Sequence, residues 1–180
     1  ELEHILSLQK NPDAKEVAEA ADERKMRPEL VTLPVEPQWT RAGFPVSYHL
    51  LDRVSATTRI IGDGVKHHFG TKRPYQSDPR VKALIEPHDN PAFPSGHAVG
   101  SVVWAQVCAL LLPEKQNAFT ARAEEIAQHR VLTGMHWPHD LRGGRELAWL
   151  ITGGLLQNAA FIADLQAARE ELEAKGLRKK

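Results

Sequence analysis

The sequence predicts an all-α, single-domain helical bundle, and three observations carry that expectation. Apolar residues recur at steps of three, four and seven through several long segments, the pattern of a helix with one buried face. Strand-like alternation is scarce, which leaves helix-on-helix packing as the way to bury those faces. A chain of 180 residues with 42% hydrophobic content suits one domain, and at this size roughly 70% of the unfolded surface can be buried without disulfide or metal staples.

Taken in order, residues 1–44 read as a polar N-terminal arm laid on the domain, broken by Pro12, Pro28, Pro34 and Pro37. Only Ala14 to Lys25 has the Ala and Glu richness of a short helix. The domain proper spans 45–180. Its first helix is expected from Val46 to about Val65, where Val46, Leu50, Val54, Ile61 and Val65 share a face. A loop rich in Pro and charge follows from Gly70 to Pro94. The next segment, capped by Ser95 and stopped by Pro113, is apolar nearly all round, as a central buried helix should be. A further helix is predicted from Asn117 to Leu132. The last begins near Pro138, weakens at Gly153-Gly154, and continues from Leu155 to Lys175 before Gly176.

Composition narrows the function classes. The 23 Lys and Arg balance 23 Asp and Glu, so no nucleic acid polymer is the expected partner. The apolar stretches Val102 to Leu112 and Leu147 to Leu156 are shorter than the ~20 residues that cross a bilayer, so no membrane insertion is expected. Cys108 is the single cysteine, which excludes a disulfide scaffold and a cysteine-rich zinc site. The chain begins with Glu1, as expected of a processed product that has lost any export signal. Self-association into a homo-oligomer stays open.

Seven of nine histidines lie between His67 and His139, among Lys66, Lys72, Arg73, Arg80, Lys82 and Arg130, with few acids nearby. Singly, each of these is ordinarily a solvated side chain; their placement says more. Phe119, Ala123, Ile126 and Arg130 share one helical face, which aims an arginine inward. A buried guanidinium needs a carboxylate or a bound oxyanion. His97 falls on the stripe of Ser101, Trp104, Cys108 and Leu111, in the first turn of the central helix. Before it, Ser95 can cap and Gly96 lets a ligand approach the backbone, so the free N–H groups of this turn form an anion site. His136-Trp137-Pro138-His139-Asp140 repeats the theme at another helix start, with Asp140 placed either to cap the helix or to hydrogen-bond His136.

Together, Lys66-x6-Arg73-Pro74, Pro94-Ser95-Gly96-His97 and Arg130-x5-His136-x3-Asp140 resemble the three-part signature of the type 2 phosphatidic acid phosphatase superfamily, which includes vanadium haloperoxidases. A Pro-Ser-Gly-His match alone arises by chance in roughly one chain in a thousand of this size. The soluble class A bacterial non-specific acid phosphatases look most similar, because their third motif also reads Gly-x-His-Trp-x-x-Asp, here Gly134 to Asp140. Their C-terminal pattern also resembles Asn158 to Lys175. The resemblance covers about residues 45 to 175 and departs at one place: the family usually has Ser before the third-motif Arg, and this chain has His129.

The resemblance implies an active site at helix N-termini and a metal-independent phosphatase with no cofactor. It hydrolyses small-molecule phosphate monoesters of broad range through a phosphohistidine. In that scheme His136 is the nucleophile oriented by Asp140, His97 is the general acid and base, and Lys66, Arg73, Ser95, Gly96 and Arg130 hold the phosphoryl oxygens. A periplasmic or secreted location follows from the same resemblance. The alternatives are a vanadate-dependent haloperoxidase-like enzyme and a weakly active phosphate-binding relative. A metal hydrolase is disfavoured because the adjacent Lys and Arg repel cations.

Overall fold

The computed structural model describes residues 1–179. No strand occurs among them, and the helices are α1 (Leu2–Leu8), α2 (Ala14–Asp22), α3 (Glu29–Val35), α4 (Pro45–Phe69), α5 (Pro74–Ser77), α6 (Gly96–Leu111), α7 (Gln116–Leu132), α8 (Pro138–Leu155) and α9 (Ala159–Ala174). The all-α bundle expected from periodicity is the architecture observed. None of these helices is long and apolar enough to cross a membrane.

Helix α6 is the axis. It packs most extensively on α7 and α8 and then on α4, while α9 lies against α4. Being surrounded explains why its sequence is apolar nearly all round. Val99, Val103, Trp104, Val107, Cys108 and Leu111 are all buried, and burial pushes the Cys108 thiol up, out of the reactive range. Leu112 and Pro113 end the helix, and the turn Pro113–Lys115 leads into α7.

The first 44 residues hold three short helices where one was expected. Leu30, Val31 and Trp39 belong to the main core, with the Trp39 ring packed edge-on to Tyr48 and Phe119. Helix α1 sends Ile5 into a second cluster with Val81, Ala127 and Val131. Helices of seven residues such as α1 and α3 are too short to hold alone in water, so these exist because the bundle covers them.

Helix α4 extends to Phe69, past the expected Val65, and stops at Gly70 in the left-handed conformation, φ +58°. Its buried stripe runs Tyr48, Leu51, Val54, Thr58, Gly62 and Lys66, so the face that builds the core ends on a lysine. The predicted weak point at Gly153-Gly154 does not break the helix. Helix α8 continues to Leu155, and the chain turns at 156–158, where the Asn158 side chain caps α9 by accepting from the Phe161 amide. A cap that satisfies a free N–H sets the boundary better than a glycine that merely lowers helix propensity.

Candidate functional site

Two helix starts meet at the site. The Ser95 amide donates to the Asp140 carbonyl at 3.0 Å, which ties the beginning of α6 to the first turn of α8. Gly144 makes this approach possible: a Cβ there would lie 2.7 Å from Ala98 Cβ and 3.0 Å from the Ser95 carbonyl. The link between α7 and α8 also depends on glycine, since Gly134 sits at φ +73° with its Cα facing the Lys82 carbonyl, where a Cβ would stand at 2.5 Å. In that turn the amides of Met135 and His136 both donate to the Arg130 carbonyl, which fixes His136 relative to the end of α7.

His136 is held from both sides. Its Nδ1 lies 3.1 Å from Asp140 Oδ2, and its Nε2 lies 3.2 Å from Arg73 Nη1. A carboxylate accepts and a guanidinium donates, so the ring carries its proton on Nδ1 and a lone pair on Nε2. Burial, reinforced by Arg73 and Lys66, holds His136 well below the ordinary histidine range, which keeps that nitrogen unprotonated. Asp140 Oδ2 also accepts from the Trp137 amide at 2.9 Å. Capping the helix and orienting the imidazole, which the sequence left as alternatives, are performed by one oxygen. Burial raises the Asp140 pKa, against the Trp137 amide that lowers it.

The cations arrive from separate elements. Lys66, in the last turn of α4, donates from Nζ to the carbonyls of Pro91 at 2.7 Å and Ala92 at 3.1 Å. Burial and the neighbouring Arg73 bring its pKa down to about 8. Arg73 stands just before α5, where the Gln76 side chain accepts its amide. Its Nε donates to the Asn90 carbonyl, Nη2 to Asn90 Oδ1 at 2.6 Å and Nη1 to the Met135 carbonyl at 2.8 Å. Lys66, Arg73, Gly96, His97 and His136 line one cavity of about 570 Å³. Ser95 is buried and does not line it, its hydroxyl accepting from the Ala98 amide at 3.3 Å as the expected cap.

His97 also lines the cavity, and its Nε2 lies 3.1 Å from the Glu23 carbonyl. A carbonyl only accepts, so Nε2 bears the proton and Nδ1 is the nitrogen left to exchange one. Burial first, and Arg130 next, push its pKa well below the usual value. Arg130 is fully buried and does not line the cavity. Its Nη2 donates to Glu23 Oε2 and to the Ala20 carbonyl, both at 2.8 Å, while Nε and Nη1 are buried without partners. The inward arginine therefore meets a carboxylate and still has three N–H bonds unused.

Three contributors escape a reading of the sequence. Asn90 and His88 lie in the Pro-rich loop; Asn90 anchors Arg73, and the His88 ring centroid is 5.7 Å from that of His97. Glu23 lies in the N-terminal arm, 107 residues from Arg130. The one available signal was the demand of an inward Arg130 for an anion, which does not say which acid answers it.

A metal is not what the donor set invites, because the cavity wall presents Lys66 and Arg73. Glu19, Glu125 and His129 bring ligand atoms within 4.8 Å of one another. They are already engaged, Glu19 with Lys15, Glu125 with Arg122 and His129 with Glu23.

Histidines held neutral make stability depend on pH. An unfolded histidine titrates near ~6.5, whereas His97 and His136 titrate well below that value and His88 at about 4. Below about pH 6.5 the unfolded chain binds protons that the folded chain refuses. This contribution is fully present above that pH and is lost as pH falls toward the folded values. The urea midpoint is expected to drop from pH 7 to pH 5. An unchanged midpoint over that interval would contradict the buried neutral pair.

Residues 53–161 match the PAP2 superfamily, and all eight motif residues from Lys66 to Asp140 fall inside that span. The chain is 34% identical over 84 residues to a non-specific acid phosphatase of Salmonella typhi, covering 47% of this chain and 34% of that protein. It is 25% identical over 132 residues to an acid phosphatase of Zymomonas mobilis, covering 69% of this chain and 50% of the other. With phosphatidylglycerophosphatase B of Escherichia coli it shares 35% over 77 residues, 40% of this chain and 29% of that one. The matches thus span between about a third and a half of these relatives' lengths. With more than half of the chain matched by the family pattern, and the helical fold and the three motifs in place, this chain belongs to the PAP2 superfamily.

Proposed function

We propose that the protein is a metal-independent phosphatase that hydrolyses soluble phosphate monoesters through a phosphohistidine. The observation that carries this reading is His136, its Nδ1–H on Asp140 and its Nε2 beside Arg73 at the cavity wall. A neutral imidazole in a pocket of fixed positive charge suits attack on phosphorus, because the cations neutralise the phosphoryl oxygens while the lone pair stays available.

In the first step His136 Nε2 bonds to phosphorus and the bond to the ester oxygen breaks. The imidazolium positive charge that forms is stabilised by Asp140. His97 gives a proton to the departing oxygen. The substrate dianion restores its proton affinity, because it offsets the nearby Arg130 charge that helps lower it. In the second step His97, now neutral, takes a proton from water as the water oxygen attacks phosphorus. The P–N bond breaks, inorganic phosphate forms and His136 returns to its starting state. Lys66, Arg73 and the first-turn amides of α6 hold the oxygens as charge shifts, joined by Arg130, which does not line the cavity but keeps Nε and Nη1 unpartnered for the oxyanion to reach on binding. A broad substrate range fits a scheme in which every contact named is to the phosphoryl group.

Hydrolysis of p-nitrophenyl phosphate tests the reading, with two additions. Vanadate is expected to inhibit far below the substrate KM, because it can bond to Nε2 as a trigonal bipyramid resembling the transition state. EDTA is expected to leave the rate unchanged. Complete loss in EDTA, reversed by a divalent cation, would remove this reading.

A further inference from the structure

One acidic side chain outside the motif-bearing stretch pairs with a predicted site residue. Glu23, in the turn after α2, is 1% exposed and accepts from three donors: Arg122 Nη2 at 2.9 Å, His129 Nδ1 at 2.9 and 3.0 Å, and Arg130 Nη2 at 2.8 Å. Its backbone carbonyl meets His97 Nε2 at 3.1 Å. One residue of the arm thus contacts both the cation proposed to hold the oxygens and the histidine proposed to move the proton. His129, the position at which the chain departs from the resembled pattern, is the ring that braces this carboxylate.

A guanidinium held by a single hydrogen bond can still rotate about its stem, and a buried one with three unused N–H bonds binds an oxyanion only if its plane is fixed. The Glu23 and Ala20 contacts both fall on Nη2, so together they fix that plane and leave Nε and Nη1 for the ligand. Arg122 and His129 fix Glu23 in turn.

We propose that Glu23 is a positioning residue for the phosphoryl site: its carboxylate sets the Arg130 guanidinium for oxyanion binding, and its carbonyl sets the His97 tautomer. The inference rests on the phosphatase reading for its ligand, an orthophosphate-like oxyanion. Glu23 does not touch that ligand and acts through Arg130.

The test is a double-mutant cycle read as affinity for inorganic phosphate by calorimetry, with p-nitrophenyl phosphate kinetics alongside. Glu23→Ala and Arg130→Ala are each expected to weaken phosphate binding by about tenfold or more, the scale of losing a charge-assisted hydrogen bond in a buried site. The double variant should be no more than about threefold weaker than Arg130→Ala alone, because Glu23 has nothing left to position. Losses that multiply to about a hundredfold would overturn the proposal, since a residue supporting the fold in general acts independently of Arg130. Glu23→Gln guards against misfolding: it keeps the side chain's size but turns an N–H toward one of two guanidiniums that can only donate. Its phosphate affinity should fall with the melting temperature near that of the parent chain. Unchanged or tighter binding in Glu23→Gln would mean that the carboxylate only screens Arg130, and would also overturn the proposal. A parent chain that binds phosphate yet hydrolyses no ester removes the phosphatase reading and leaves this cycle readable, whereas one that binds no phosphate removes both.

Discussion

Replacing His136 with Ala is expected to abolish turnover for every phosphate ester, by on the order of 10⁴-fold or more, the scale seen when a covalent nucleophile is removed. Neighbouring histidines are held differently. His97 Nε2 is tied to the Glu23 carbonyl, and His139 is half-exposed and paired with Glu1. The lesion should be chemical and not structural. Arg73 keeps the Met135 carbonyl and both Asn90 acceptors, and Asp140 keeps the Trp137 amide, so the cations and the helix cap stay in place. Phosphate affinity should therefore survive within a few-fold while kcat vanishes, and acid-labile, alkali-stable phosphate should no longer be trapped on the protein. Turnover within a hundredfold of the parent chain would show that phosphorus is attacked by something else.

The parts of this site that a sequence displays are those in which local spacing fixes the outcome. Asp140 follows His136 by four residues across a helix start, so their bond is settled within one turn of chain. Ser95 and the helix after it are legible for the same reason, as is Arg130 pointing inward on the face of Phe119, Ala123 and Ile126. What is illegible is the identity of a partner supplied from far along the chain. Glu23 stands among several acids of an arm whose composition looks solvated, and only the packing of α2 against α7 selects it. Asn90 is hidden likewise, because a loop without periodicity gives no face to assign. Helices α1 and α3 lie below the length at which intrinsic propensity decides, so tertiary burial of Ile5, Leu30 and Val31 makes them.

The two histidines should separate by leaving group. In the proposed scheme His97→Ala removes the proton donor of the first step and the base of the second, without touching the atom that bonds to phosphorus. p-Nitrophenolate, with a conjugate-acid pKa near ~7, departs with little help from an acid, whereas an alkyl phosphate should lose the roughly 10²–10⁴-fold attributed to general acid catalysis. Hydrolysis of the phosphohistidine then lacks its base whatever the first leaving group was. The Ala variant should show a rapid burst of p-nitrophenol, near one equivalent per site, followed by slow steady turnover, and His136→Ala should show no burst. Structurally the change is tolerable, because His97 lines the cavity and water can replace the ring as donor to the Glu23 carbonyl. The depressed pKa of His97 adds a second signature. The parent chain's kcat/KM for alkyl phosphates should fall as pH rises, since the fraction of protein with a protonated His97 shrinks. In His97→Ala that alkaline limb should flatten. Equal losses on aryl and alkyl esters, with no burst, would mean that the proton comes from another group, for which His88, whose ring centroid lies 5.7 Å from that of His97, is the neighbour to test next.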